Sequence, residues 1–330
     1  MTKNVRIFIF VILVSMPLWW GVNIFQGSLE NYLYAQISQP FKEGLNSYQK
    51  LDSQASEKEA AAKAAKNQVL NYSLDARSVL VVKIDESGRK KILLEEKPDK
   101  KLPIASLTKL MTSLVSLEIY DPAQLLYISK EAVKQRGERG DLKIGERLSV
   151  KNLLHIALLE SSNDAAFALA EGIYSPNKRI GEVNLVELMN KEASFLKMNN
   201  THFFNPTGLD NREETNYSTS RDIIKLVTYI LKEKPEIFKI SAKRNYLVLT
   251  PDGKIHHFIP RNIDELVGEA DGLVGGKTGF TDKAGGCIIT IFKNEKNEYL
   301  INVILGTSTP KERFSETENL LNNLRNNNLW

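Results

Sequence analysis

The sequence predicts an α+β fold in which one antiparallel sheet is assembled from both ends of a domain, with a block of helices inserted between its strands. Short apolar runs bounded by turn residues occur at residues 78–96 and again at 285–306. Apolar positions from residue 106 to about 233 recur instead at helical spacing. Because strands lie at both ends and helices between them, one sheet beside a helical block is the simplest arrangement.

Three strand pairs are predicted. In the first, "SVLVVKID" and "KKILLEE" flank the turn "ESGR", and in the second, "RNYLVL" and "KIHHFI" flank "TPDG". The third pairs "GGCIITIFKN" with "EYLINVILG" around "NEKN". Each turn segment is rich in polar residues or glycine, which is typical of hairpin connections.

The helical block has four strong patterns before residue 200. They are "KLMTSLVSLEIY", "VKNLLHIALLESS", "NDAAFALAEGIY" and "VNLVELMNKEASFLKM". A last helix is predicted over "TPKERFSETENLLNNLR", where Ser308 or Thr309 serves as the cap and Pro310 occupies the first helical position.

Composition excludes several classes of protein. The chain has 330 residues, of which 42% are hydrophobic and 25% charged, as in globular proteins. The formal net charge is +4 with no block of five like charges, so no nucleic-acid partner is predicted. The single cysteine, Cys287, cannot form an intramolecular disulfide, and the four histidines show no metal-ligand spacing. Neither a metal nor a cofactor is predicted.

The N-terminal region predicts a membrane anchor and a stalk. Residues 7–25 are almost free of charge and follow Lys3 and Arg6. A helix of this length nearly spans the hydrocarbon core of a bilayer, about 30 Å, and the preceding positive charges favour a cytoplasmic N-terminus. We therefore expect an anchor at 1–27, a partly helical stalk at 28–76 and a folded domain at 77–330 outside the cytoplasm. A cleaved signal peptide, with a site after Ala35, is the alternative.

A hydroxyl and an amine meet where the first long helix begins. Ser106 and Lys109 in "ASLTKLMTSL" are three residues apart, which places their side chains next to each other on a helix. The Ser-x-x-Lys pattern occurs six times in the chain, so by itself it fits a helix cap and a solvated lysine equally well. The apolar neighbours of Lys109 suggest burial, which would lower the pKa of its amine toward the range of a general base.

Two other short motifs carry polar groups at the edges of apolar segments. Ser161 and Asn163 lie in "HIALLESSNDAAFALAE", and the triplet Lys277, Thr278 and Gly279 lies in "DGLVGGKTGFTDKAGGC". Taken singly, the first fits a helix cap and the second an exposed turn. The ordered set of Ser-x-x-Lys, Ser-x-Asn and Lys-Thr-Gly is the signature of penicillin-interacting serine enzymes.

The longer flanks resemble one family among these enzymes. The segments "LPIASLTKLMTSLV", "LLHIALLESSNDAAFALAE", "NNTHFFNPTGLD" and "DGLVGGKTGFTDKAGGC" resemble the D-alanyl-D-alanine carboxypeptidases, which are low-molecular-mass penicillin-binding proteins. The resemblance covers roughly residues 75–310. It implies a β-lactamase/transpeptidase-like fold, a stem peptide of peptidoglycan ending in D-Ala-D-Ala as substrate, and acylation by β-lactam antibiotics.

The resemblance also implies roles in acyl transfer. Ser106 would be the nucleophile, and Lys109 the neutral amine that accepts its proton. Lys277 would be the second cation that keeps the pKa of Lys109 low, since like charges disfavour the protonated form. Ser161 would pass a proton toward the leaving amine. The backbone N–H groups of Ser106 and Phe280 would form the oxyanion hole.

Other roles implied by the resemblance concern substrate binding. Asn163 would hydrogen-bond the amide of the substrate, and Thr278 with Lys277 would hold its terminal carboxylate. Gly279 would let the substrate backbone approach the strand edge. Arg261 lies where some relatives carry an arginine that assists the carboxylate site.

Two alternatives stay open at the level of sequence. A class A β-lactamase needs a glutamate that activates a deacylating water, and Glu187 in "ELMN" is the nearest match, one residue short of the usual spacing. A wall-binding or β-lactam-sensing module would keep the same cleft without turnover. The reaction product distinguishes the three hypotheses: a carboxypeptidase releases D-alanine, a β-lactamase releases hydrolysed β-lactam, and a binding or sensing module releases neither.

Overall fold

The computed structural model describes residues 74–172, 185–211 and 214–330. In chain order, its strands are β1 (Ser78–Ile84), β2 (Lys90–Glu96), β3 (Leu102–Pro103), β4 (Leu125–Tyr127), β5 (Arg147–Ser149), β6 (Tyr217–Ser218), β7 (Tyr246–Leu249), β8 (Ile255–Ile259), β9 (Leu273–Thr281), β10 (Gly285–Lys293) and β11 (Tyr299–Thr307). Its α-helices are α1 (Thr108–Ile119), α2 (Lys130–Val133), α3 (Val150–Leu159), α4 (Asn163–Glu171), α5 (Leu185–Phe195), α6 (Ser220–Glu233), α7 (Glu236–Ser241) and α8 (Glu312–Asn326).

One five-stranded antiparallel sheet is built from both ends of the domain, as the sequence predicts. Its order is β2-β1-β11-β10-β9, so the first two strands pair with the last three across more than two hundred residues of chain. The strands β1, β10 and β11 are almost entirely buried, because helices cover both faces of the sheet. Alternate residues therefore serve two cores: Leu80 and Val82 face the helical block, whereas Val79 and Val81 face α8.

Helix α1 lies at the centre of the helical block. Its first nine residues, 108–116, are all buried, which is expected of a helix packed on every side. A short 3₁₀ turn, Ala105–Leu107, leads directly into it. The start of α1 thus comes to lie beside β9, where the end strand of the sheet meets the helical block.

Two features of the sheet differ from the prediction. The hairpin of β7 and β8 forms a separate two-stranded sheet, because its strands pair only with each other. Residues 273–281 form β9, although the sequence around "LVGGKTG" carries no strand pattern. This strand is held by its register with β10, for example between Lys277 and Ile289.

The predicted anchor at residues 7–25 lies outside the described residues, as does nearly all of the predicted stalk. Within the described part of the chain, no helix combines the length and the apolar character needed to cross a bilayer.

Candidate active site

The turn that presents Ser106 is held in an uncommon backbone conformation. Ala105, just before it, has a φ of +46°, in the left-handed region that a residue with a side chain rarely adopts. The segment containing Gly208 packs directly against this turn, since a Cβ added at Gly208 would lie 1.9 Å from the Ala105 carbonyl oxygen. Asn205 holds that segment by accepting hydrogen bonds from the backbone N–H groups of Thr207 and Gly208. The segment from Asn205 to Gly208 therefore supports the Ser106 turn.

Lys109 is fully buried, and its amine contacts the hydroxyl of Ser106. Its Nζ lies 2.9 Å from Ser106 Oγ, 2.8 Å from Asn163 Oδ1 and 2.8 Å from the Thr207 carbonyl oxygen. Burial lowers the pKa of Lys109 well below its usual value, and the positive charge of Lys277 lowers it further. A neutral amine within hydrogen-bond distance of a serine hydroxyl can accept the proton of that hydroxyl.

Lys277 places a second buried amine next to Ser161. Its Nζ lies 2.9 Å from Ser161 Oγ and 2.9 Å from the Thr278 carbonyl oxygen. The pKa of Lys277 is lowered to about 7, chiefly by burial and secondly by the charge of Arg313, while the carboxylates of Asp264 and Glu138 oppose the change. The two lysines thus lie on opposite sides of one cleft, each hydrogen-bonded to a serine.

The loop between α3 and α4 is held in place on both sides of Ser161. Ser161 itself has a φ of +56°, again in the left-handed region. The next residue, Ser162, caps α4 by accepting a hydrogen bond from the N–H of Ala165. Asn163 donates its backbone N–H to the Glu138 carbonyl oxygen, so the loop is fixed from outside as well. This arrangement aims Ser161 and Asn163 into the same cleft.

Asn163 joins the cleft to the segment that precedes β5. Its Oδ1 accepts from Lys109, and its Nδ2 donates to the Arg136 carbonyl oxygen at 2.7 Å. Its predicted hydrogen bond to the substrate amide stays a prediction.

Strand β9 forms the open side of the cleft, because it ends the order of the five-stranded sheet. Gly279 lies against the Ser106 turn, since a Cβ added there would be 2.9 Å from the Ser106 backbone nitrogen. The hydroxyl oxygen of Thr278 is buried and has no hydrogen-bond partner in the described part of the chain, and Phe280 is 42% exposed. An extended peptide can therefore pair with β9 while its reacting carbonyl approaches Ser106.

The structure does not bring Arg261 into this cleft. Arg261 is exposed, and among the described residues no hydrogen bond or ion pair joins it to the other predicted residues, so its role stays a prediction. The arginine that contacts β9 is Arg313, whose Nη1 donates to the Gly279 carbonyl oxygen at 2.9 Å. A sequence signal existed, because Arg313 shares the buried face of α8 with Thr317 and Leu320.

Two other expectations can be compared with the structure. Glu187, the candidate for a β-lactamase glutamate, is exposed in the first turn of α5. No cluster of three or more histidine, cysteine, aspartate or glutamate side chains in the described ranges could hold a metal ion.

Comparison with known proteins first identifies the class. The fold is that of the penicillin-binding proteins: it matches penicillin-binding protein D2 of Listeria monocytogenes, in its cefotaxime-bound form, with a TM-score of 0.65 and 29% identity over 77% of this chain and 98% of that one. The chain belongs to the D-alanyl-D-alanine carboxypeptidase family, whose model matches residues 61–309. The family resemblance in the motifs is thereby confirmed.

Two relatives show the breadth of the family. D-alanyl-D-alanine carboxypeptidase DacF of Bacillus subtilis is 32% identical over 252 residues, which cover 75% of this chain and 61% of DacF. A D-alanyl-D-alanine endopeptidase of Pseudomonas aeruginosa is 32% identical over 234 residues, which cover 67% of this chain and 68% of that protein. The match to DacF thus spans less than two thirds of the length of that relative.

Proposed function

We propose that this protein is a serine-type D-Ala-D-Ala carboxypeptidase that removes the terminal D-alanine from peptidoglycan stem peptides. The observation that carries the proposal is the buried amine of Lys109, 2.9 Å from Ser106 Oγ. A buried lysine with a lowered pKa is a base, and the hydroxyl beside it is the nucleophile it activates. Membership of the family supplies the class of substrate.

Acylation begins when Ser106 Oγ attacks the carbonyl carbon of the penultimate D-alanine and passes its proton to Lys109. The negative oxygen of the tetrahedral intermediate is stabilised by the backbone N–H groups of Ser106 and Phe280, which lie where β9 meets the start of α1. Collapse of the intermediate breaks the peptide bond, and the leaving amine takes a proton through Ser161. Water then hydrolyses the ester, which releases the shortened peptide and restores the Ser106 hydroxyl.

The terminal carboxylate of the substrate is held along β9, next to Lys277 and Thr278. Thr278 offers a buried hydroxyl with no hydrogen-bond partner among the described residues, Lys277 donates to the Thr278 carbonyl oxygen, and Arg313 donates to the carbonyl oxygen of the next residue, Gly279. A carboxylate placed there is stabilised by a hydrogen bond and by two positive charges in a region of low dielectric. This requirement explains why a carboxypeptidase would accept a peptide only at its free C-terminus.

β-Lactams acylate the same serine in this proposal. Their strained amide mimics the D-Ala-D-Ala bond, and the leaving amine stays tethered after ring opening. The Listeria penicillin-binding protein D2 is known in cefotaxime-bound and ampicillin-bound forms, and this relationship supports β-lactams as ligands here.

Mass analysis of stem peptides tests the proposed activity. Incubation of the full chain with a pentapeptide that ends in D-Ala-D-Ala should release one D-alanine per peptide. Because relatives include endopeptidases, cross-linked peptide dimers are the second substrate. If the dimer is cleaved but the pentapeptide loses no D-alanine, the protein is an endopeptidase and the carboxypeptidase assignment is wrong. If the folded protein turns over neither substrate, the proposed enzymatic activity is rejected.

We also propose that residues 7–25 anchor the protein in the cytoplasmic membrane, with the catalytic domain facing the cell wall. The support is the length and apolar character of this segment and the position of Lys3 and Arg6 before it. The full-length protein should fractionate with membranes and keep its N-terminus, whereas deletion of residues 1–27 should release an active enzyme. A mature N-terminus near Gln36 in cells would contradict the anchor and favour a cleaved signal peptide.

A further inference from the structure

The amine of Lys109 has three hydrogen-bond neighbours, and two of them are carbonyl oxygens. Its Nζ lies 2.8 Å from Asn163 Oδ1, 2.8 Å from the Thr207 carbonyl oxygen and 2.9 Å from Ser106 Oγ. The amide of Asn163 is oriented by its Nδ2, which donates to the Arg136 carbonyl oxygen, so Oδ1 is the atom that faces the amine. Both carbonyl oxygens can only accept hydrogen bonds from Lys109.

These contacts fix the direction of the lone pair on a neutral Lys109. A neutral amine has two N–H groups and one lone pair. Because both carbonyl oxygens accept, the two N–H groups point to Asn163 and Thr207, and the lone pair is left for Ser106 Oγ. The hydroxyl of Ser106 then donates to Lys109, which is the direction of proton transfer when Ser106 attacks. Displacement of either carbonyl would free one N–H group and let the lone pair turn away.

The direction of the Thr207 carbonyl is set by the side chain of Asn205. Asn205 Oδ1 accepts from the N–H of Thr207 at 3.1 Å and from the N–H of Gly208 at 2.7 Å, and its Nδ2 donates to the Leu209 carbonyl oxygen. The C=O of Thr207 and the N–H of Gly208 belong to one planar trans peptide unit, so they point in opposite directions. Because Asn205 holds the N–H end of this unit, the C=O end points to Lys109.

The backbone of Asn205 is held independently of its own side chain. Asn216, which is 1% exposed, accepts hydrogen bonds from the N–H groups of Phe204 and Asn205. Its Nδ2 donates to the Asn205 carbonyl oxygen and to Oγ1 of Thr108, the first residue of α1. The segment is therefore attached next to Lys109 even without the Asn205 side chain, and removal of that side chain frees mainly the peptide unit that follows Thr207.

We propose that Asn205 is a positioning residue that turns the Thr207 carbonyl toward Lys109 and so aims the lone pair of the base at the Ser106 hydroxyl. The inference rests on the proposed function, because it takes Lys109 as the base. The alternative is that Asn205 only supports the Ser106 turn, through the packing of Gly208 against it.

The test measures how fast a penicillin acylates the full chain. Formation of the adduct is followed by intact-mass measurement at several penicillin concentrations up to saturation, which separates the affinity from the first-order rate constant of acylation. Asn205→Ala should lower this rate constant about 10- to 100-fold, the scale expected when a reacting group is displaced by about 1 Å. The affinity should stay at its wild-type value, because Thr278 and Lys277 on β9 are unchanged.

A double-variant comparison separates positioning of the base from support of the turn. In Lys109→Arg the base is absent, so the addition of Asn205→Ala should cause no further loss in the rate constant. If Asn205 acted only on the turn that presents Ser106, the loss would have the same factor in both backgrounds, because the nucleophile would be displaced in each.

Two further variants serve as controls. Asn199→Ala makes the same change at an exposed position six residues earlier, and it should acylate as wild type. Asn205→Ser is the second variant should Asn205→Ala fail to fold. Its hydroxyl can accept from the same backbone N–H groups more weakly, so it should lose less than the alanine variant, and nothing further in the Lys109→Arg background.

The outcomes distinguish the inference from the function on which it rests. A wild-type rate constant in a folded Asn205 variant, a loss confined to the affinity, or an equal factor of loss in both backgrounds overturns the positioning role. Near-normal acylation by Lys109→Arg alone removes the base, and the inference with it. If the wild-type protein forms no adduct on Ser106, the proposed function itself has failed.

Discussion

Replacing Ser106 by alanine is expected to abolish the covalent adduct that a penicillin forms with this protein. In the wild type, intact-mass measurement should show one penicilloyl group per chain, and peptide mapping should place it on Ser106. The reason is the contact of Ser106 Oγ with the Lys109 amine, which activates this hydroxyl as a nucleophile. The adduct should be long-lived, because the tethered leaving amine blocks water and the exposed Glu187 is not placed to activate one.

The chain supplies its own matched controls for this prediction. Five other serines stand three residues before a lysine: Ser47, Ser87, Ser175, Ser194 and Ser308. Of these, Ser47 and Ser175 lie outside the described residues, and Ser87, Ser194 and Ser308 are exposed. Alanine at any of the five should leave the adduct unchanged. At the three described positions the serine and its lysine are both exposed, and the sequence pattern without a buried amine gives no activation.

Other results would change the assignment. Ser161→Ala should slow formation of the adduct without moving it, because in the proposed mechanism Ser161 passes a proton to the leaving amine. An adduct on another residue, or none in a folded protein, would remove Ser106 from the nucleophile role. Rapid release of hydrolysed penicillin would instead favour the β-lactamase.

Lys109→Arg is expected to lower the rate of acylation about 10³-fold, the scale of general-base catalysis. Arginine does not deprotonate in a protein, so it would keep a positive charge at the site without accepting the proton of Ser106. The wild-type rate should rise with pH as Lys109 loses its proton, and this rise should lie below the usual range of lysine because burial and Lys277 lower the pKa of Lys109. The variant should lack this limb of the profile.

Lys197→Arg is the matched control, because Lys197 also stands three residues after a serine but is exposed. It should acylate at the wild-type rate. Thermal unfolding of both variants establishes that each is folded before its rate is interpreted. Near-normal acylation by Lys109→Arg would transfer the base role to another group, with Lys277 the first to examine.

Much of this protein could be predicted from the sequence because the relevant signals are local. The strands at residues 78–96 and 285–306 are continuous apolar runs bounded by turns, and the helices between them have clear helical spacing. The three motifs could be recognised because they are local as well: Ser106 and Lys109 lie one helical turn apart, and the triplet that begins at Lys277 is contiguous. These features predicted the architecture and most of the cleft.

Pairing across the fold decided the rest. Residues 273–281 become a strand through their register with β10, because three glycines and a lysine in that segment carry little strand preference of their own. The Thr207 carbonyl that contacts Lys109, and the contact of Arg313 with Gly279, join residues far apart in sequence. No local sequence pattern predicts contacts between residues so far apart in the chain.

The sequence suggested a lowered pKa for Lys109 from its apolar neighbours, but it gave no such signal for Lys277. A lysine in solution is protonated at neutral pH, and burial is the main reason why the pKa of Lys109 lies well below its usual value and that of Lys277 is lowered to about 7. Their burial arises only when α1, α4 and β9 close around them. The residue types at the site were therefore determined by the sequence alone, whereas the tertiary structure decided how strongly the pKa of each lysine is lowered, because desolvation and neighbouring charges exist only in the folded protein.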